Sequence, residues 1–417
     1  MLTIEEAQAR ILDDVPRVRS EDVPIDQAYG RWLAEPLVAL DSLPPWDNSS
    51  MDGYAVRAAD LAGASADNPV SLTLLETIGA GSWPSQAVRS GTASAAMTGA
   101  PMPQGADCIV MIEDTDGARE GAVQVRVAPH VGQHIRPAGD DVKKGTTVIA
   151  RGTRLGPMQI GLASALGYGR LAVARRPRVV ILSTGDEVVP PGRPLAPGQI
   201  WSSNNASLIG LAREAGVEVI DGGIVPDTFE ATVKALRDAV GLGVDAVITT
   251  GGVSVGEFDY VKDAIAGLGG RVEFWKVKMK PGKPLAFGRV GKVPLFGLPG
   301  NPVSCIVNFL QFVRPWLLAC MGASRSFLPV VDAIAGEDLR EKPGRFSLMR
   351  VRLTSKDGRF VATSAGNPSS GAMLSMSRAH GFALFADTST GAKAGDAVRV
   401  QLIDASFMDG YGPDYGW

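Results

Sequence analysis

The run from Asp245 to Asp259 sets hydroxyls, two glycines and two carboxylates directly after a short apolar segment. Val247 and Ile248 have the character of a buried parallel strand. Thr249, Thr250, Gly251 and Gly252 predict a turn, and Ser254 to Asp259 lead into a helix. Glycines at a strand's carboxyl end let backbone N–H groups approach an anion, and the next helix N-terminus adds its positive dipole end. Ligands of open α/β sheets bind at that edge. The run is neither G-x-G-x-x-G nor a Walker loop, and Glu257 and Asp259 would repel a bare phosphate. Carboxylates beside a phosphate cradle make chemical sense with a divalent cation between them. The plainer alternative is a turn with a capping Asp.

Ser183-Thr184-Gly185-Asp186-Glu187 follows an earlier strand-like segment and mirrors the first loop. If the two strands are neighbours, Asp186, Glu187, Glu257 and Asp259 converge on one crevice, and such an oxygen-rich crevice suits Mg²⁺. One acidic residue after a strand is otherwise a helix N-cap. Lys276, Lys278, Lys280 and Lys283 stand in W-K-V-K-M-K-P-G-K-P. On one continuous strand the first three share a face at period two. The bland reading is an edge strand guarded by lysines. The functional reading is that the Pro-Gly-Lys-Pro turn presents Lys280 and Lys283 to a polyanion. Leu298-Pro299-Gly300-Asn301-Pro302 reads as a tight turn, a capping Asn and Pro at the first helical position. The polar run Trp46 to Val56 is too elaborate for a linker, yet its residues alone assign it no role.

The elements that must hold these residues fall into blocks. Ile4, Ala7, Ile11 and Leu12 predict a helix, and Ala28 to Leu33 a second one. Short segments at Ser71–Thr77, Ile109–Glu113 and Val123–Val127, bounded by Gly or Pro, predict an all-β module. Thr153 to Leu166 reads as a helix returning to pack on the first 45 residues. From Arg178 the style changes: strands at Arg178–Ser183, Val244–Thr250, Arg271–Lys278 and Val293–Leu298 alternate with helices at Ser203–Ala215, Thr228–Val240 and Asn301–Cys320. That alternation predicts a doubly wound α/β domain. After Pro329, segments at Ser347–Leu353, Arg359–Thr363, Gly381–Phe385 and Ala397–Leu402 predict a small β-barrel or sandwich, with Met408 to Trp417 as a loose tail.

Composition bounds the possibilities. A chain of 417 residues exceeds the size of one core. Charged residues make up 20% and the net charge is −3, which argues against a general nucleic-acid binder. Fifty glycines and 28 prolines favour turns and β modules. No basic-then-apolar leader opens the chain, and Val303 to Cys320 is interrupted by Asn308, Gln311, Arg314 and Pro315, so a cytoplasmic protein without membrane spans is expected. Cys108, Cys305 and Cys320, like His130, His134 and His380, are too scattered for a disulfide framework or zinc site.

Six motifs occur in order: W-D-N-S-S-M-D-G-Y-A-V, M-T-G-A-P-M-P, S-T-G-D-E-V, T-T-G-G-V-S-V-G-E-F-D-Y, K-M-K-P-G-K-P and L-P-G-N-P-V-S. Together they resemble the molybdenum insertases, the molybdopterin molybdenumtransferase family whose eukaryotic relatives include the gephyrin E domain. The resemblance implies a homodimer of four-part chains. A helical segment covers residues 1–45 and 146–176, a β module 46–145, an α/β domain related to molybdopterin adenylyltransferases 177–328 and a C-terminal β-barrel 329–405. Residues 406–417 form a tail without family counterpart.

By that resemblance the substrates are adenylated molybdopterin and molybdate. A Mg²⁺-dependent cleavage releases AMP and leaves molybdenum on the dithiolene. Asp186, Glu187, Asp227 and Asp259 correspond to an acidic cluster, with Asp186, Glu187 and Asp259 as the metal set. Asp52, Thr98 and Asp141 correspond to positions that the β module contributes across the dimer interface. The implied catalytic residues are Asp52, Asp141, Glu187, Asp227 and Asp259. Lys276 and Lys280 match lysines that bind the oxyanion, with Arg350 and Ser370 as partners. Ser183, Thr184, Gly185, Gly251, Gly252, Ser254, Lys283, Pro299 and Pro302 complete the substrate contacts. Ser202 stands where relatives often carry Asp, which removes one carboxylate. Other cofactor-biosynthesis proteins or molybdoenzyme apo-proteins are the expected protein partners. Two rival readings are a molybdopterin adenylyltransferase, which lacks the β module and barrel, and a non-catalytic scaffold like gephyrin, which needs neither acidic nor basic site.

Overall fold

The computed structural model describes residues 1–252, 260–356 and 358–408. The chain forms two compact units, one of Met1–Glu21, Gly30–Ala34 and Val173–Trp417, the other of Asp22–Tyr29 and Glu35–Ala172.

The first unit is built on a six-stranded sheet in the order Glu218–Val225, Arg178–Thr184, Ala246–Thr250, Val293–Leu298, Pro284–Val290, Arg271–Lys276. The first four run parallel, and Pro284–Val290 pairs antiparallel with both of its neighbours. Arg178–Thr184 and Ala246–Thr250 are buried along most of their length, as a strand covered on both faces must be. One face packs on Leu236 and Ala239 of the helix Phe229–Gly241 and on Val261, Ala264 and Ile265 of the helix Tyr260–Gly267. The other face packs on Ile4, Ala7 and Ile11 of the helix Ile4–Leu12, on Leu208 and Ala212 of Ser203–Glu214, and on the continuous helical run Pro302–Cys320. The strand order reverses between Arg178–Thr184 and Ala246–Thr250, which puts the expected crevice beyond Thr184 and Thr250.

Pro302–Cys320 is, among the described residues, the one helix long and apolar enough to cross a membrane by length and composition, and it is 89% buried in the fold. Pro315 has no N–H for the carbonyl of Gln311. The helix relaxes there into a π segment, Phe309–Val313, and the freed Gln311 carbonyl accepts the Gln8 amide at 3.1 Å. Beyond this helix, Phe346–Lys356, Arg359–Ser364, Val330–Ala335, Ala397–Leu402 and Gly381–Phe385 pair around a ring that closes back on Phe346–Lys356. The barrel core is Val351, Leu353, Ala362, Ala383 and Val400.

The second unit carries a six-stranded sheet in the order Cys108–Met111, Gly53–Val56, Thr92–Ala96, Val70–Ile78, Ala122–Val125, Thr115–Arg119. A Cβ at Gly53 would lie 2.1 Å from the Val110 carbonyl oxygen, so glycine is required for those strands to meet. The helix Pro157–Ala165 belongs to this unit, whereas Ile4–Leu12 packs in the first.

Three sequence expectations are corrected. No helix forms over Ala28 to Leu33: a 3₁₀ turn at Ile25–Gln27 ends before Gly30, which sits at φ 75°, and Leu33 is extended and bridges Val173. The segment Ile109–Glu113 is a strand only to Met111, then turns through Ile112–Asp114. The strand Arg271–Lys278 stops at Lys276, because Leu2 bonds the Lys276 carbonyl and the Lys278 amide. Met279–Lys280 then pairs with Phe346–Ser347 of the barrel.

Phe296 is fully buried, with ring centroids 5.1 Å from Phe287 and 5.7 Å from Trp316. Phe296→Ala should destabilise the first unit by about 3–5 kcal/mol. The readout is its denaturant midpoint, and an unchanged midpoint would show that this cluster does not hold the sheet to the helix.

Candidate active site

The two sequence-defined loops meet at the sheet edge. Gly251 sits at φ 92°, and a Cβ there would lie 2.6 Å from both the carbonyl and hydroxyl oxygens of Thr184. Gly185 is as tightly set, since a Cβ would lie 2.7 Å from a carboxylate oxygen of Glu187, which folds back over it. Asp186 accepts the backbone N–H of Asp227 at 3.0 Å, which joins two of the four residues expected to form the acidic cluster. Ser254, Glu257 and Asp259 lie outside the described residues. Among the described residues no group of three or more His, Cys, Asp or Glu is placed to hold a metal.

Asn204, which the sequence reading left without a role, ties this edge together. Its amide donates to the Thr250 hydroxyl and to the Gly300 carbonyl, both at 2.8 Å. The Thr250 hydroxyl in turn donates to the Pro299 carbonyl at 3.2 Å. The hydroxyls of Ser183, Thr184, Ser202 and Thr249 are buried without a partner. Buried polar atoms are normally paired, so the edge presents polar groups that await one. Pro302 occupies the first turn of its helix as expected, but Asn301 makes no side-chain cap. The Val303 N–H donates instead to the Ser370 carbonyl at 3.0 Å, so that donor faces the barrel and not an anion.

The lysines diverge instead of sharing a face, which corrects the period-two reading. Lys278 pairs with Asp387 at 2.6 Å, and Lys280 with Glu341 at 3.1 Å. Lys276 lies against the ring of Trp275, its ammonium 5.5 Å from the centroid. Lys280, Lys283, Arg350 and Ser370 do come together, lining a cleft of about 520 Å³ below the barrel, whereas Lys276 does not reach it. Arg340 and Arg345 bring the cations lining this cleft to five, against the two carboxylates Asp338 and Glu341. Asp338 is occupied by Lys393 at 3.0 Å.

Arg350 is 7% exposed and donates from one nitrogen to the carbonyls of Asn367 and Ser369, at 2.9 and 3.0 Å. Its other terminal nitrogen is buried without a partner. Burial draws this guanidinium below its ordinary pKa. A buried cation lacking a counter-charge is costly, and a dianion entering the cleft would remove that cost. Glu341, with its side chain 7% exposed, is the acid the sequence reading missed. No local pattern marks it, because its partner lies 61 residues away.

In the second unit Asp52 accepts the Thr98 backbone N–H at 2.7 Å and the Thr98 hydroxyl at 2.8 Å. The backbone bond first, and then the hydroxyl, hold its carboxyl below the usual carboxylate range. The Asp141 amide bonds the Leu43 carbonyl, and no hydrogen bond or ion pair joins Asp141 to the Asp52–Thr98 pair.

Two outcomes follow from this geometry. Glu341→Gln removes a like charge beside the cleft and should tighten binding of a tetrahedral dianion by about 10-fold, or about 1.4 kcal/mol; weaker binding in calorimetry would make Glu341 a support for the anion and not a competitor. Thr98→Val keeps the backbone donor and loses the hydroxyl, so the Asp52 carboxyl should titrate at higher pH by NMR. Because its folded pKa is depressed, Asp52 contributes stability above its unfolded pKa and loses it as pH falls through the folded value. Thr98→Val should therefore make the second unit more acid-sensitive.

Comparison with known proteins completes the site. The family described as "MoeA N-terminal region (domain I and II)" matches residues 2–167, "Probable molybdopterin binding domain" matches 180–319, and "MoeA C-terminal region (domain IV)" matches 332–403. A protein of Mycobacterium tuberculosis named molybdopterin molybdenumtransferase 2 is 39% identical over 405 residues, covering 96% of this chain and 99% of that one. A molybdopterin molybdenumtransferase of Haemophilus influenzae is 34% identical, covering 96% and 98%. The crystal structure of a molybdopterin biosynthesis MoeA protein from Pyrococcus horikoshii superposes with TM-score 0.83 at 30% identity, covering 97% of this chain and 100% of that one. With every region of the chain matched in order at such identity, the chain belongs to the MoeA family of molybdopterin molybdenumtransferases.

Proposed function

We infer that this chain inserts molybdenum into molybdopterin, taking adenylated molybdopterin and molybdate as substrates and releasing AMP. The observation that carries the reading is the near-full-length match to relatives of that name. The cleft around Arg350 supports it, because molybdate is a tetrahedral dianion and needs fixed donors. The unpartnered nitrogen of Arg350, with Lys280 and Lys283, supplies them. Lys280 would exchange Glu341 for the oxyanion, and the Ser370 hydroxyl lies on the same wall.

At the sheet edge, Gly251 and Gly252 bring the backbone against Thr184, and the buried hydroxyls of Ser183, Thr184 and Thr249 face a polar ligand. Asp186 and Glu187 fit Mg²⁺, which takes one or two carboxylates together with phosphate oxygens and water. When bound, Mg²⁺ would neutralise phosphate charge during cleavage of the adenylate. Asp259 would join the metal set, and Asp227, held on Asp186, would keep that carboxylate oriented. Ser202 supplies a buried hydroxyl where relatives often have a carboxylate. Asp52 and Asp141 would complete a catalytic set shared across an isologous homodimer, the default symmetry for such a chain. A cytoplasmic location, with other cofactor-biosynthesis proteins or apo-enzymes as partners, fits this reading.

AMP release from adenylated molybdopterin, measured with and without molybdate, tests it. Release that yields molybdenum-loaded cofactor supports insertion; no release, or the reverse adenylation alone, overturns it. Mixing inactive Asp52→Ala with inactive Asp259→Ala tests the shared site. Partial activity should return through heterodimers, and its absence after demonstrated subunit exchange would exclude sharing.

A further inference from the structure

The four lysines of the Lys276–Lys283 segment divide into two kinds. Lys278 and Lys280 each have a carboxylate partner, Asp387 and Glu341. Lys276 and Lys283 have no carboxylate partner among the described residues. Lys276 shares the Trp275 ring with Lys262, whose ammonium lies 4.1 Å from the ring centroid. A cation held on an aromatic face is positioned without being neutralised. Its charge therefore remains available to a ligand.

These residues border a second cleft, of about 620 Å³, lined by Leu2, Arg10, Phe274, Trp275, Lys276 and Lys283. Among the described residues lining it are three cations and no carboxylate, in contrast to the Arg350 cleft with its two acids. Lys283 lines both. The volume falls in the range of small-molecule sites and exceeds the needs of a bare tetrahedral oxyanion. Leu2, Phe274 and Trp275 add apolar and aromatic surface beside the cations. An organic phosphate fits that combination better than an inorganic anion does.

We propose that this cleft binds the phosphate end of a nucleotide, with Arg10, Lys276 and Lys283 on the phosphate and Trp275 as the residue that positions Lys276. The proposal rests on the reading that the chain handles an adenylated substrate, and it assigns that substrate's phosphates to a cleft separate from the oxyanion. Sharing of Lys283 makes the two clefts compete for one charge, so an anion in either should weaken binding in the other, reciprocally.

The test is calorimetry on the full chain with AMP and with molybdate as separate probes. Lys276→Met and Trp275→Leu should each weaken AMP binding by about 10-fold or more and leave molybdate binding as in the wild type. Lys283→Met should weaken both. Trp275→Phe keeps an aromatic face and should recover most of the AMP affinity, which separates positioning of Lys276 from general disruption. AMP binding that is unchanged in Lys276→Met overturns the proposal, as does loss of molybdate affinity without loss of AMP affinity. AMP release by the wild-type enzyme is read independently, so failure of the cleft assignment and failure of the insertion reading give different results.

Discussion

A proline inside a fully buried helix is the constraint around which the first unit is arranged. Pro315 removes the N–H that the Gln311 carbonyl needs, and a buried carbonyl left unpaired costs about 1–3 kcal/mol. The fold satisfies it with the side chain of Gln8, which anchors the N-terminal helix to the long one. The Gln311 side chain then reaches Gln401 of the barrel at 2.6 Å. One turn earlier, the Asn308 amide donates to the Pro284 carbonyl at 2.9 Å. A Cβ at Gly282 would come within 3.1 Å of the Asn308 side-chain oxygen. A helix that looks like a plain apolar rod therefore carries specific polar ties to the terminal helix, the lysine turn and the barrel.

The placement of charge depends on those ties. Because the turn from Lys280 to Pro284 is held on Asn308, the chain leaves the sheet at Lys276 and joins the barrel at Met279–Lys280. That step separates lysines that a straight strand would have kept on one face. Two meet carboxylates from the barrel, and two keep their full charge toward clefts. Arg350 reaches one of those clefts from the barrel strand Phe346–Lys356, with its stem buried and one nitrogen unspent. A site for strongly charged ligands is assembled from cations that the fold desolvates and holds without neutralising them.

Much of this protein was legible in its residues. The β-branched runs at Arg178–Thr184, Ala246–Thr250 and Val293–Leu298 became the buried parallel strands, since both the period and the burial of such strands are local properties. Glycines at 185 and 251 marked the sheet edge because only glycine tolerates the close approach and positive φ found there. Other elements were not legible. Gly53–Val56 and Thr92–Ala96 are short and made largely of small residues, and they are strands only because their neighbours bury them. The 28–33 segment has helical spacing but is pulled into an extended bridge by Val173.

The sequence alone determined the family, the order of its modules and the loops at the sheet edge, because each rests on residue types within a few positions of one another. Only the tertiary structure decided which charges remain free. Glu341 meets Lys280 across 61 residues, Trp275 takes Lys262 and Lys276 onto one ring, and Arg350 loses its solvent without gaining a counter-ion. Each of these depends on burial and on contacts between distant segments. Electrostatic energy is set by those surroundings, and residue spacing carries no record of them.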